Sequence, residues 1–271
     1  MTHPSIGFIG AGNMAASLIG GLITKSFDHK RLFASDPNID ALQSLAQRTG
    51  ITACANNHAV VENSDVLVLA VKPQVMQSVL ADIATAVQSK KPLIISIAAG
   101  ISIENLCKWL GGEVAVVRCM PNTPALVQLG ASGLYANAKV SGPQREHAQN
   151  ILTAVGIALW LDSEEQIDAV TALSGSGPAY FFLLIEAMIA AGEKLGLAAE
   201  TSRALTLQTA LGAAQMAITS DVDAAELRRR VTSPGGTTER AIAHFESSGL
   251  RNIVDGALQA AALRSQEMNN Q

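Results

Sequence analysis

Two stretches of this 271-residue chain bring together residue types that can do chemistry. The first is Gly10-Ala11-Gly12-Asn13-Met14-Ala15, the pattern G-x-G-x-x-A, placed directly after an apolar run at 6–9 and opening an amphipathic stretch. Gly10 permits a tight turn, Gly12 lets the backbone approach a pyrophosphate, and the small Ala15 lets a helix pack close to the preceding strand. The N–H groups of that helix's first turn then face the anion. The chemistry is dinucleotide binding, with a ligand-free glycine turn as the structural alternative. About 20 residues further on lie Ser35 and Asp36, where such sites read the adenosine ribose. The Asp36 carboxylate would accept from the 2′-hydroxyl of NAD and repel the 2′-phosphate of NADP, whereas the Ser35 hydroxyl could donate to that phosphate. Asp36 followed by Pro37 could instead cap the next helix. Cofactor choice stays open.

The second stretch is Val231-Thr232-Ser233-Pro234-Gly235-Gly236-Thr237-Thr238. Its glycines can present backbone N–H groups, and the helix that follows offers an N-terminal dipole, so the loop suits a carboxylate. Ser233, Thr237 and Thr238 add hydroxyl donors. The structural alternative is a loop in which Thr237 or Thr238 serves as an N-cap. Lys72 ends a predicted strand at the rim where ligands of such sheets gather, but a lysine there can simply be solvated. Asn122 and Thr123, stiffened by Pro121 and Pro124, form a comparable rim loop that can touch nicotinamide or substrate, or be a plain turn. Glu186 lies alone in a long apolar stretch and can reach a site, an interface or a structural partner. His3, His29, His58, His147 and His244 show no ligand spacing, so no metal is expected.

The elements that must position these residues follow from patterning. Short β-rich runs at 6–9, 31–34, 66–71, 93–97 and 114–119 alternate with helical stretches and are apolar on both faces, which suits a parallel sheet covered on each side. Right-handed crossovers then give a doubly wound Rossmann-type α/β fold. After Leu161 the period becomes helical. A capped acidic start at 162–166 leads a helix expected to run to Leu195, with further helices near 199–219, 224–230, 238–246 and 250–267 and a frayed tail at 266–271. The expected division is a dinucleotide-binding domain at 1–161 and a helical domain at 162–271, in line with roughly 150 residues per domain.

Composition bounds the class. Apolar residues make up 48% and charged residues 15%, which excludes disorder and favours an assembly that shares an apolar interface. A net charge of −4 offers no field for nucleic acid. The apolar stretch at 179–191 contains Glu186 and is short of the ~20 residues that span a bilayer. The start of the chain leaves no room for a signal peptide, and Cys54, Cys107 and Cys119 form no disulfide or zinc pattern, so a reducing cytoplasm is expected.

With the cradle in place, the remaining motifs resemble the pyrroline-5-carboxylate reductase family. They are Gly7-Phe8-Ile9-Gly10-Ala11-Gly12-Asn13-Met14, Ala70-Val71-Lys72-Pro73, Arg118-Cys119-Met120-Pro121-Asn122-Thr123-Pro124, Leu173-Ser174-Gly175-Ser176-Gly177-Pro178-Ala179-Tyr180 and the 231–238 loop. The resemblance covers nearly the whole chain. It implies an N-terminal Rossmann domain, a C-terminal helical dimerisation domain that makes a homodimer the building unit of a possible higher oligomer, and reduction of a cyclic imine with NADP(H) or NAD(H). It further implies that Gly10 to Met14 hold the pyrophosphate, Ser35 and Asn57 the 2′-phosphate, and Ala70 to Pro73 the nicotinamide half. Substrate would go to the 233–238 loop, with Thr238 on the imine nitrogen.

Reduction of a ketone gives an alkoxide and needs a placed acid, whereas a protonated imine already carries its proton and asks for orientation and a carboxylate clamp. Hydroxyacid dehydrogenases of similar arrangement place a catalytic lysine one turn after a Gly-rich helix start. Here Gly175, Ser176 and Gly177 are followed by Pro178, Ala179, Tyr180, Phe181 and Phe182, and that lysine is missing. Reduction of another small carboxylate and a cofactor-binding sensor without hydride transfer remain the rival readings.

Overall fold

The structure, a computed structural model, describes residues 4–269; His3 and the last two residues of the expected tail lie outside them. Eight strands form one sheet: β1 Ile6–Ile9, β2 Leu32–Ser35, β3 Thr52–Ala53, β4 Val66–Leu69, β5 Leu93–Ser96, β6 Val116–Met120, β7 Gly130–Ala136 and β8 Gly156–Trp160, in spatial order β3-β2-β1-β4-β5-β6-β7-β8. Strands β1 to β6 are mutually parallel, so their C-terminal ends share one rim. The expected all-parallel sheet needs one correction, because β7 runs antiparallel to β6 and β8 runs parallel to β7.

The predicted strands begin or end within a residue or two of those observed, and three were not foreseen. Strand β3 is two exposed residues. Strand β7 reads Gly-Ala-Ser-Gly-Leu-Tyr-Ala, poor in the β-branched residues that mark strands. Strand β8 opens on Gly156, paired with Gly130, where φ is +149° and a side chain would run into the Gly130 backbone.

Alternation along the strands divides the core between the two faces. Ile6, Phe8, Val66 and Val68 pack against α1 (Asn13–Thr24), α2 (Ile39–Thr49) and α6 (Gly142–Thr153), chiefly on Leu18, Leu22, Leu42 and Ile151. Ile9, Leu67, Leu69 and Ile94 pack against α3 (Asn57–Glu62), α4 (Pro73–Lys90) and α5 (Ile103–Trp109) through Val60, Leu80, Ile83 and Leu106. Leu80 and Ile83 are wholly buried, and each such side chain contributes about 1.5–3 kcal/mol relative to exposure. The fold is doubly wound.

The expected single helix over 162–195 is broken. Its capped start does not form: α7 spans Gln166–Val170 with no side-chain cap, and Gln166 Oε1 accepts the Asp162 N–H at 2.9 Å. A π-helical turn, Thr171–Gly175, follows and then α8, Gly177–Lys194. The Ser176 N–H reaches back to the Thr171 carbonyl at 2.8 Å, and Pro178, in the first turn of α8, has no N–H to give to the Ser174 carbonyl. The remaining helices are α9 Ala199–Thr219, α10 Ala224–Arg230, α11 Thr237–Ser247 and α12 Leu250–Asn269, whose last turns occupy 266–269 where a frayed tail was expected.

Strands end at Trp160, one residue before the expected domain boundary, while the compact units divide elsewhere. One runs to Ser176 and takes in the chain from Ala260 onward; the other is Gly177–Gln259. Polar bonds explain why α7 and the end of α12 go with the sheet. Arg118, 3% exposed on β6, donates from Nη1 to Glu164 Oε1 at 2.9 Å and from Nη2 to Asn269 Oδ1 at 2.9 Å. Asp168, 6% exposed on α7, accepts from Ser265 Oγ at 2.6 Å and from Asn269 Nδ2 at 3.0 Å. Glu164 also accepts the Ile103 N–H at 2.8 Å.

Candidate active site

At the sheet rim the glycine turn is fixed by its neighbours. Gly10 has φ +98°, and a β-carbon there would stand 2.6 Å from the Ala70 carbonyl oxygen, so only glycine fits. Its N–H donates to the Ser35 carbonyl at 2.8 Å, and the Ala70 N–H donates to the Ile9 carbonyl at 2.8 Å. Gly12 is the N-cap of α1, with no side-chain cap and no acidic residue in the first turn. A β-carbon on Gly12 would meet nothing within 4 Å. The N–H groups of Asn13 and Met14 therefore open onto free space beside an uncapped helix end, which fits a pyrophosphate.

Ser35 is 3% exposed and its hydroxyl donates to Asn57 Oδ1 at 2.7 Å, so the structure joins these two predicted residues although 22 positions separate them. Asp36 does not cap α2; Asn38 does, accepting the Ala41 N–H at 3.0 Å. The Asp36 oxygens instead take the Ala11 N–H at 2.7 Å and the Asn38 N–H at 2.8 Å. Ala70 and Val71 leave β4 before Lys72, the backbone N-cap of α4, whose first residue is Pro73. The Lys72 side chain is exposed.

Asn122 is buried as a clamp. Its Nδ2 donates to the Ser174 carbonyl left free by Pro178, at 3.0 Å, and its Oδ1 accepts the Ala131 N–H at 2.9 Å. The amide thus holds the β6–β7 connection to the π turn. Thr123 is exposed and opens a 3₁₀ turn, Thr123–Val127. Cys119, wholly buried beside this loop, has its thiol pushed far above the usual range by desolvation, which excludes it as a nucleophile.

Within the second unit, the 233–238 loop closes on itself. The Gly236 N–H donates to the Ser233 carbonyl at 3.0 Å, and Gly235, at φ +73°, donates its N–H to Glu239 Oε2 at 2.8 Å. Gly236 is the N-cap of α11 without a side-chain cap, so neither Thr237 nor Thr238 plays the capping part left open for them. Both stand in the first turn; Ser233, Pro234 and Thr237 are exposed and Thr238 half-buried. Just upstream, Glu226 of α10 is gripped by Arg229 at 2.6 Å and Arg230 at 2.9 Å. Hydrogen bonds from these guanidiniums hold its carboxyl down to about 2. Glu186 is exposed on α8 and lines an apolar groove with Phe182, Ile189 and Leu207.

Two residues, Glu239 and Arg118, have roles that the sequence does not assign. Glu239 had a signal, since a glutamate three places after an N-cap is the spacing that reaches back to a loop N–H. Arg118 had one as well, as a charge inside an otherwise apolar strand. Among the described residues no cluster of three or more His, Cys, Asp or Glu could hold a metal ion.

A pyrroline-5-carboxylate reductase from Pseudomonas aeruginosa is 58% identical over 271 residues, covering 100% of this chain and 99% of that protein. The chain belongs to the pyrroline-5-carboxylate reductase family. The family model for pyrroline-5-carboxylate reductase dimerisation matches residues 164–268, and one described as NADP oxidoreductase, coenzyme F420-dependent, matches 5–100. Among solved structures, a pyrroline-5-carboxylate reductase from Coxiella burnetii superposes with a TM-score of 0.95 at 43% identity, covering 98% of this chain and 99% of its own. The Plasmodium falciparum pyrroline carboxylate reductase with NADP bound gives 0.87 at 33% identity, covering 99% of each.

Proposed function

We propose that this reductase converts 1-pyrroline-5-carboxylate to L-proline at the expense of NADPH or NADH, the last step of proline biosynthesis. The observation that carries the reading is the 58% identity to a pyrroline-5-carboxylate reductase along the full chain. The sheet unit adds a cradle of the right form: an uncapped helix end and a Gly12 with free space above it. When bound there, the cofactor supplies a hydride to the imine carbon.

In this reading Gly10, Ala11, Gly12, Asn13 and Met14 hold the pyrophosphate, Ala70, Val71, Lys72 and Pro73 the nicotinamide half, and the rim residues Asn122 and Thr123 border it. Ser35 and Asn57 take a 2′-phosphate, which favours NADPH and agrees with the NADP-bound relative. Ser233, Pro234, Gly235, Gly236 and Thr237 receive the substrate carboxylate, and Thr238 orients the ring by hydrogen-bonding its nitrogen. No strong acid is required, because addition of hydride to the protonated imine yields a neutral amine. No lysine stands among Pro178, Ala179, Tyr180, Phe181 and Phe182, the turn where hydroxyacid dehydrogenases of similar arrangement carry one, which disfavours an alcohol product. Residues 1–161 carry the cofactor and 162–271 the substrate loop and the face of a cytoplasmic homodimer, with no metal.

The test is consumption of NAD(P)H by the purified protein on addition of the cyclic imine, with L-proline identified as product. Absence of turnover with both cofactors would reject the reading.

A further inference from the structure

Asp36 stands at the end of β2, where a carboxylate is expected to accept the ribose 2′-hydroxyl of NAD and to repel the 2′-phosphate of NADP. Its observed bonds point elsewhere. Oδ2 accepts the Ala11 N–H at 2.7 Å, 25 positions away in sequence, and Oδ1 accepts the Asn38 N–H at 2.8 Å. Each oxygen already holds a backbone donor, and the two bonds fix the plane of the carboxylate between the glycine turn and the start of α2. Ala11, 9% exposed, lies between the two glycines, and a buried N–H of this kind must find an acceptor. The neighbouring rung, Gly10 N–H to the Ser35 carbonyl at 2.8 Å, hangs the same turn from the same strand end. Two successive N–H groups of the turn are thus suspended from two successive residues of the β2 exit. Gly12 and the open end of α1 follow directly.

We propose that Asp36 is a positioning residue for the pyrophosphate-binding turn and not a selector between NADH and NADPH. This rests on the reading that the turn binds the dinucleotide. A selector acts on the one position at which the cofactors differ, so its removal changes their affinity ratio. A brace acts on the pyrophosphate they share, so its removal weakens both together.

The experiment is equilibrium titration of the purified protein with NADPH and, separately, NADH, for the wild type, Asp36→Asn and Asp36→Ala, alongside melting temperatures. Hydrogen exchange at the Ala11 amide is followed in the ligand-free wild type. Asp36→Ala is expected to raise both dissociation constants by about tenfold, a typical effect for one charge-assisted hydrogen bond. Asp36→Asn, which keeps one acceptor oxygen, is expected to raise them less. The NADPH to NADH ratio stays within about threefold of the wild type in both variants, and the Ala11 amide is protected. A ratio moved further than that overturns the proposal, as do dissociation constants that do not move, a loss of binding matched by a general loss of melting temperature in Asp36→Asn, or an unprotected Ala11 amide. Failure of the wild type to bind either cofactor would refute the proposed function instead, and the amide measurement would still report on the brace.

Discussion

Gly10 and Gly12 stand two residues apart and are required for different reasons. Gly10 combines φ +98° with a β-carbon position 2.6 Å from the Ala70 carbonyl oxygen, so alanine there meets left-handed backbone and a clash at once. Gly10→Ala is expected to destabilise the fold by about 2–4 kcal/mol, read by chemical denaturation. Gly12→Val keeps the fold within about 1 kcal/mol, because the added carbons enter free space, yet it weakens dinucleotide binding, read by titration. Thr238→Ala is expected to lower kcat/KM by about tenfold or more with little change in melting temperature, since the side chain caps no helix. The glycines were legible because their spacing is a consequence of backbone geometry. The two roles first weighed for Asp36, ribose acceptor or helix cap, miss the one observed, because spacing places a residue at a strand end and says nothing of which way its carboxylate turns. Asn122 was half legible: its place at the rim follows from the sequence, but its clamp depends on the Ser174 carbonyl, far along the chain.

At the scale of elements, β1, β4 and β5 could be read because they are buried on both faces and uniformly apolar. Strands β7 and β8 could not, since glycines at their paired ends serve close backbone approach and leave little β signal. Helix α10 carries a pH-dependent clamp that leads into the 233–238 loop. Glu226 is held at about 2 in the folded chain against an ordinary 4.5, so its contribution is fully present above pH 4.5 and is lost as pH falls toward 2. Comparing Glu226→Gln with the wild type by denaturation across that range should show a stability difference that is largest above pH 4.5 and vanishes near pH 2.

For the molecule as a whole, the second unit alone cannot hide its apolar surface. Phe181 is 69% exposed, Leu211 57% and Ile218 79%, on helices that the family's dimerisation model covers. The run Gln166–Lys194 is long and apolar enough to cross a membrane by length and composition, and a partner subunit is the cover proposed for it. Leu211→Asp, which would bury a charge in such an interface, is expected to shift the protein to monomer in size-exclusion chromatography with light scattering. Unaltered assembly would place the interface elsewhere. The Asn122 side chain carries a lesson for anyone redesigning this part of the sheet. Exchange Asn122 for leucine and one lost amide unfastens two distant stretches at a stroke, the bend at Ser174 and the strand edge at Ala131.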